Sequence, residues 1–262
     1  MNAPLPLHTR DETFCVRAYE CDVRNCVTLP SCCNYLQEIA GNHARDLGLG
    51  IQTLQEAGFT WMLARLRLAV SRYAAWRKTL RIRTWPAGTR GRVTALRDFV
   101  CRDEAGALLL EGVSEWLYVD LAANRIVRLP PAFAALAPEG TPRVALPPAP
   151  EPPAPEPAAE WSATLTVRRS DHDFNNHVNN AHYVAWALEC LPDDWTGTRQ
   201  VGELDIAYKS AAAWGDTILS EAARAGEDTV LHRIRRLSDR TLLASARTVW
   251  REHKNNEGGT SS

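Results

Sequence analysis

No apolar run in the 262-residue chain approaches the roughly 20 residues that a bilayer-spanning helix needs, so no membrane span is expected. Met1 to Arg10 has neither the apolar core of a secretion signal nor an Arg-rich amphipathic pattern, and the chain reads as cytoplasmic. No C-x-x-C occurs among its seven cysteines, an odd number that favours free thiols over a disulfide framework. Cys15, Cys21, Cys26, Cys32 and Cys33 cluster without zinc-ligand spacing, as do His172 and His182; neither a metal nor another cofactor is expected. No aromatic-interleaved or helix-in-groove module is present, which argues against nucleic acid.

What is present is unevenly spread. The formal net charge is -1, yet Trp61 to Arg102 holds eleven Lys or Arg against one acid, Asp98. Arginines at alternate positions, as in Arg81-Ile82-Arg83, suit the solvent face of a half-buried strand. They also suit a face that docks an acidic partner. Pro-Pro occurs three times within Pro130 to Pro157, a composition for an extended connector. The sequence on either side repeats. Shifting by 151 residues superposes Val16 on Val167, Asp22 on Asp173, Asn25 on Asn176, Val27 on Val178 and Glu38 on Glu189. A shift of 138 brings Leu66 to Leu204, Trp76 to Trp214 and Thr79 to Thr217. This register sets Cys26 opposite His177, so an imidazole stands at this position in only one of the two units.

A first helix is expected from Pro30 or Ser31 to Gly48, since proline suits a first turn and glycine a C-terminal cap. A second runs from Asn179, a good N-cap, to Pro192, with apolar residues all round, as in a buried helix. Strand-like runs follow each helix. The fold class is therefore α+β, a tandem double hotdog in which two antiparallel sheets each wrap a central helix. Its expected parts are a first hotdog domain at 13–129, a Pro-rich linker at 130–159, a second hotdog domain at 160–251 and a disordered tail at 252–262.

Asp173, Asn175 and His177 alternate just before the second helix. In an extended segment they would share one side, close to a helix N-terminus able to hold an oxyanion. His177 suits a general base near neutral pH, with Asp173 orienting it and Asn175 positioning water. Backbone N–H groups of Val178, Asn179 and Asn180 are the candidate oxyanion donors. Glu189 lies on the expected buried helix, where a carboxylate is costly unless paired or protonated. It is expected either as a structural hydrogen-bonding residue or as one standing behind the site. Cys190 reads as a packing residue.

The run Asp173-Phe174-Asn175-Asn176-His177-Val178-Asn179-Asn180, followed by Tyr183, Trp186 and Glu189, resembles the second-half motif of the acyl-acyl carrier protein (acyl-ACP) thioesterases. Trp61-Met62-Leu63-Ala64-Arg65, Arg72-Tyr73-Ala74-Ala75-Trp76, Arg97-Asp98-Phe99 and Ser114-Glu115-Trp116 resemble that family's other blocks, in order. The resemblance implies hydrolysis of fatty acyl-ACP, with Asp173, Asn175 and His177 in the catalytic network. It also implies a further glutamate, whose place here is Ala211; Ala212 stands where some members carry a cysteine. Asp205 and Asp216 are the candidate substitutes for the missing acid. An acyl carrier protein presents an acidic helix, which makes Arg65, Arg67, Arg72, Arg77 and Lys78 docking candidates. Two alternatives remain open, a hotdog hydrolase of acyl-CoA and a catalytically weakened acyl-ACP binding protein. Pairing of two chains as a homodimer is open too.

Overall fold

Apolar and polar residues alternate along most strands, so that one face of the sheet is buried and the other meets solvent. The computed structural model describes residues 8–147 and 157–253. The first half contains β1 (Arg10–Cys15), a 3-10 turn (Ala18–Glu20), α1 (Leu29–Asp46) and α2 (Ile51–Glu56). Strands β2 (Phe59–Val70), β3 (Thr79–Arg90), β4 (Thr94–Arg102) and β5 (Leu108–Asp120) follow, then β6 (Arg125–Ile126) and α3 (Ala132–Leu136). The second half has β7 (Trp161–Thr166), a 3-10 turn (Arg169–Asp171), α4 (Asn180–Glu189) and α5 (Asp193–Thr198). It ends with β8 (Arg199–Tyr208), β9 (Thr217–Arg224), β10 (Thr229–Arg236) and β11 (Leu242–Glu252).

The repeat read from the sequence is present in the backbone. β1 and β7, the two 3-10 turns, and α1 and α4 all start 151 residues apart, as 10 and 161, 18 and 169, 29 and 180. The starts of β3 and β9, at 79 and 217, differ by 138. Even the left-handed backbone recurs, at Asn25 (φ 63°) and Asn176 (φ 59°).

Both expected sheets form, and they join edge to edge. The strands lie in the order β1, β3, β4, β5, β2, β8, β11, β10, β9, β7, with β6 beside β5. β2 and β8 are repeat equivalents, and each would otherwise leave an edge of unpaired N–H and C=O groups. They pair antiparallel with Arg67 opposite Asp205, residues that are themselves 138 apart. A local two-fold axis therefore passes between them.

Thr28 caps α1, its hydroxyl accepting from Ser31 N–H at 3.2 Å, and Gly48 (φ 73°) follows its end. Leu36, Ile39, Ala40 and His43 are buried on this helix. Asn179 caps α4 in the expected way, accepting from Ala181 N–H at 3.0 Å. The helices pack against each other, and four amides join them. Asn179 donates to Asn34 at 2.9 Å and accepts from Gln37 at 3.0 Å, while Asn180 donates to Gln37 at 3.1 Å.

The first part of the expected linker is more than a connector. Phe133 on α3 packs edge-on against Trp61 at 5.1 Å. Asp98, fully buried, accepts from the Arg143 guanidinium at 2.9 Å and Val144 N–H at 2.7 Å. Its Pro-rich stretch at 148–156 lies outside the described residues, as does the expected tail beyond His253. No helix among the described residues is long and apolar enough to cross a membrane.

Candidate active site

Asp171, His172 and Val178 frame the site. Asp171 is buried, and its carboxylate accepts from Arg168 N–H at 2.7 Å while its carbonyl accepts from Asn179 N–H at 2.9 Å. A single bridge between His172 and Val178 closes the loop ahead of α4. Inside it, Asp173 N–H donates to the His177 carbonyl at 2.8 Å and Asn176 N–H to the Asp173 carbonyl at 3.0 Å. Asp173 Oδ1 accepts from the backbone N–H of Asn175 at 2.8 Å and of His177 at 3.2 Å.

This loop corrects the extended arrangement expected from alternation. Aspartate readily accepts from backbone amides a few residues on, and Asn176 supplies the left-handed residue that lets the chain turn. Asp173 therefore holds His177 through its main chain, and no hydrogen bond joins the carboxylate to the ring among the described residues. His177 is exposed, and Asp173 and Asn175 are half-buried.

The candidate oxyanion donors divide. The Asn179 N–H is already given to Asp171, which leaves Val178 and Asn180 at the start of α4. Glu189 does not join the site. It is exposed and is the last of the ten residues of α4, so about 15 Å of helix separates it from Asn179. Its charge is met by solvent, which removes the burial cost that made it a candidate. Cys190 is buried and its thiol donates to the Ala187 carbonyl at 3.4 Å; burial pushes its pKa up, as for a packing residue.

Ala211, at the place of the family glutamate, is exposed, and its carbonyl accepts from Arg236 at 2.9 Å. Ala212 is buried, and its N–H donates to the Tyr183 hydroxyl on α4 at 2.8 Å. The 209–216 loop is thus fastened beside the site. Of the substitute acids, Asp205 is bound in bidentate fashion by Arg65 at 2.7 and 2.6 Å. Asp216 pairs with Arg236 at 2.9 Å.

The docking arginines are largely committed elsewhere. Arg65 and Arg67 share Asp205 across the junction of the halves, at 2.6 and 3.6 Å. Arg72 pairs with Asp103, and Arg77 stacks on Trp76 with its guanidinium 4.7 Å from the ring centre. An arginine already in an ion pair has less charge to offer a partner, so Arg77 and Lys78 are the two of the five without a salt bridge among the described residues.

Sequence reasoning missed Asp171, Arg236 and the Asn34–Gln37 pair. The amide pair had a readable signal, because residues three apart share a helix face and a polar face on a central helix needs polar company. Between α1 and its sheet lies an apolar cavity of about 20 Å³ lined by Val27, Cys32, Leu36, Leu80, Ile82 and Leu110 among others. Among the described residues no group of three His, Cys, Asp or Glu could hold a metal.

Comparison with known proteins gives the family. The profile of the acyl-ACP thioesterase N-terminal domain matches residues 8–137, and that of the C-terminal domain matches 156–252. An oleoyl-acyl carrier protein thioesterase of Coriandrum sativum is 27% identical over 241 residues, or 85% of this chain. The chain spans 65% of that relative's length. A crystal structure of an acyl-ACP thioesterase from Bacteroides thetaiotaomicron superposes with a TM-score of 0.81 at 22% identity, covering 93% of this chain and 98% of that one. The 12:0-ACP thioesterase of Umbellularia californica gives 0.78 at 23%, covering 96% and 100%. Two domain profiles in the right order over most of the chain place it in the acyl-ACP thioesterase family.

Proposed function

We propose that the chain hydrolyses the thioester of fatty acyl-acyl carrier protein and releases the free fatty acid in fatty acid biosynthesis. The observation that carries this reading is the imidazole of His177, held at the N-terminal end of α4 at the position where Cys26 stands in the first half. In this reading His177 takes a proton from water as the water attacks the thioester carbonyl. Asn175 positions that water, and the Val178 and Asn180 N–H groups receive the oxyanion, favoured by the helix dipole. When the tetrahedral intermediate collapses, the sulfur takes the proton that His177 removed from water and leaves as the thiol of the carrier's arm, which restores the base.

Room for an acyl chain is favoured in the first half. The small cavity there is lined mostly by apolar groups, and Tyr35 on α1 lies where the second half has the larger Trp186, 151 residues on. About 20 Å³ holds roughly one water, so a chain enters only as the lining side chains move apart. Seven free cysteines fit a reducing compartment, the cytoplasm.

Ala211 favours a second reading, a catalytically weakened protein that binds acyl-ACP. Incubation with acyl-ACP and acyl-CoA side by side separates them. Preferential cleavage of acyl-ACP supports the hydrolase; cleavage of neither, with carrier binding retained, supports the binding protein. Cleavage of acyl-CoA alone would redirect the substrate class.

A further inference from the structure

Phe174 is 82% exposed and Trp214 is 58% exposed. Single exposed apolar side chains are ordinary, but these two flank one site. Phe174 stands three residues before His177 in the same loop. Trp214 belongs to the 209–216 loop, which is tied to the segment before the site by Val167 N–H to the Asp216 carbonyl at 2.9 Å and Gly215 N–H to the Val167 carbonyl at 3.1 Å. The Arg169 guanidinium lies 3.8 Å from the centre of the Trp214 ring. Stacking occupies the flat face of a guanidinium and leaves its N–H edge for a carboxylate.

Three cations around these rings lack an acidic partner among the described residues. Arg168, Arg169 and Lys209 are exposed, and among the described residues none of the three forms a salt bridge. The neighbouring acids Asp216 and Asp239 are both held by Arg236, each at 2.9 Å. Asp173 spends one carboxylate oxygen on two backbone N–H groups. Tryptophan and arginine in the centre of a contact, rimmed by further cations, suit an acidic protein partner.

We propose that the carrier protein docks by an acidic helix on this second-half face, with Phe174 and Trp214 as apolar anchors and Arg169 as the principal cation. Arg168 and Lys209 supply the steering charge. The inference rests on the proposed acyl-ACP hydrolysis and gives that site its docking surface. A carrier seated on Phe174 brings its arm to the loop that holds His177. The first half presents the same design at Val23, 103% exposed, and Trp76, 42% exposed and stacked by Arg77. There the loop carries Cys26, so docking on that side brings the thioester to no imidazole.

The test compares the full chain with Arg169→Glu, Trp214→Ala and Trp76→Ala, on acyl-ACP and on the same acyl group joined to pantetheine without protein. Arg169→Glu and Trp214→Ala are expected to lower kcat/KM for acyl-ACP about tenfold or more, chiefly through KM. They should leave acyl-pantetheine within about twofold and weaken the salt dependence of the protein substrate. Trp76→Ala should behave as the unaltered chain. Parallel loss on both substrates, no loss on either, or an equal loss in Trp76→Ala would overturn the docking face. If the unaltered chain cleaves neither substrate, the proposed hydrolysis fails by itself. Fluorescence titration with acyl-ACP then still tests the surface: weaker binding of Arg169→Glu upholds it, and unchanged binding overturns it. Arg169→Glu alters an exposed side chain, so its thermal unfolding should match the parent and keep the comparison valid if Trp214→Ala folds poorly.

Discussion

Asp22 and Asp173, equivalent residues of the two halves, make the same pair of backbone hydrogen bonds. Asp22 Oδ1 accepts from the N–H groups of Arg24 and Cys26 at 2.9 and 3.1 Å. Asp173 Oδ1 accepts from those of Asn175 and His177 at 2.8 and 3.2 Å. The loop is therefore built the same way with and without an imidazole. Its aspartate is first a folding device, and the second half adds chemistry to a geometry that the first half also has.

Removing either carboxylate should cost similar stability but unequal activity. Asp22→Ala and Asp173→Ala are each expected to lose about 1 to 2 kcal/mol in urea unfolding, the usual scale for lost side-chain-to-backbone bonds. Turnover of acyl-ACP per folded molecule should fall clearly only for Asp173→Ala. Equal turnover losses in the two variants would contradict the assignment of the site to the second half.

Asn179 ties the two central helices together. Asn179→Ala removes the cap of α4 and the bonds to Asn34 and Gln37, and should cost about 1 to 3 kcal/mol. Calorimetry reads the loss; an unchanged melting temperature would show that these amides are solvated just as well when parted.

Arg65 is expected to serve stability rather than docking. Arg65→Ala leaves Asp205, whose side chain is 11% exposed, with only the longer contact to Arg67 at 3.6 Å, at a cost of about 1 to 3 kcal/mol. Carrier affinity measured by titration should remain. A loss of affinity with stability intact would return the docking role to the first-half arginines.

Acid should weaken the fold through two histidines. Burial, reinforced by the neighbouring Arg97, pushes His43 down to about 4 from 6.5, and burial does the same to His232. Below the unfolded value near 6.5 the unfolded chain takes up protons that the folded one refuses until about 4. Their stabilisation is thus present above that window and is lost as the pH falls through it, by at most about 1.4 kcal/mol per pH unit for each. Urea unfolding at several pH values measures the slope. His232→Gln should flatten it; an identical slope would deny His232 this role.

The secondary structure was legible where single residues punctuate it. Pro30 and Gly48 bracket α1 to within two residues, and Asn179 caps α4 as its residue type predicts. The two offsets of the repeat survive in strands, helices and left-handed asparagines alike. Side-chain alternation does not name an edge strand's partner, so the joining of β2 to β8 was hidden. Alternation also misled at Asp173, because a turn that needs Asn176 at φ 59° looks extended when only spacing is counted. Glu189 and the arginines of β2 show what spacing leaves out: a charge's neighbours across the fold decide what it does, and Asp205, which Arg65 and Arg67 meet, is far away in sequence.

Release of fatty acid from acyl-ACP by the full chain, measured beside His177→Ala of matched thermal stability, bears most directly on the proposed chemistry. General base catalysis contributes roughly 10² to 10⁴ in rate. The account predicts that the variant loses turnover on this scale while still binding the carrier. Equal fatty acid release by the two proteins would contradict it.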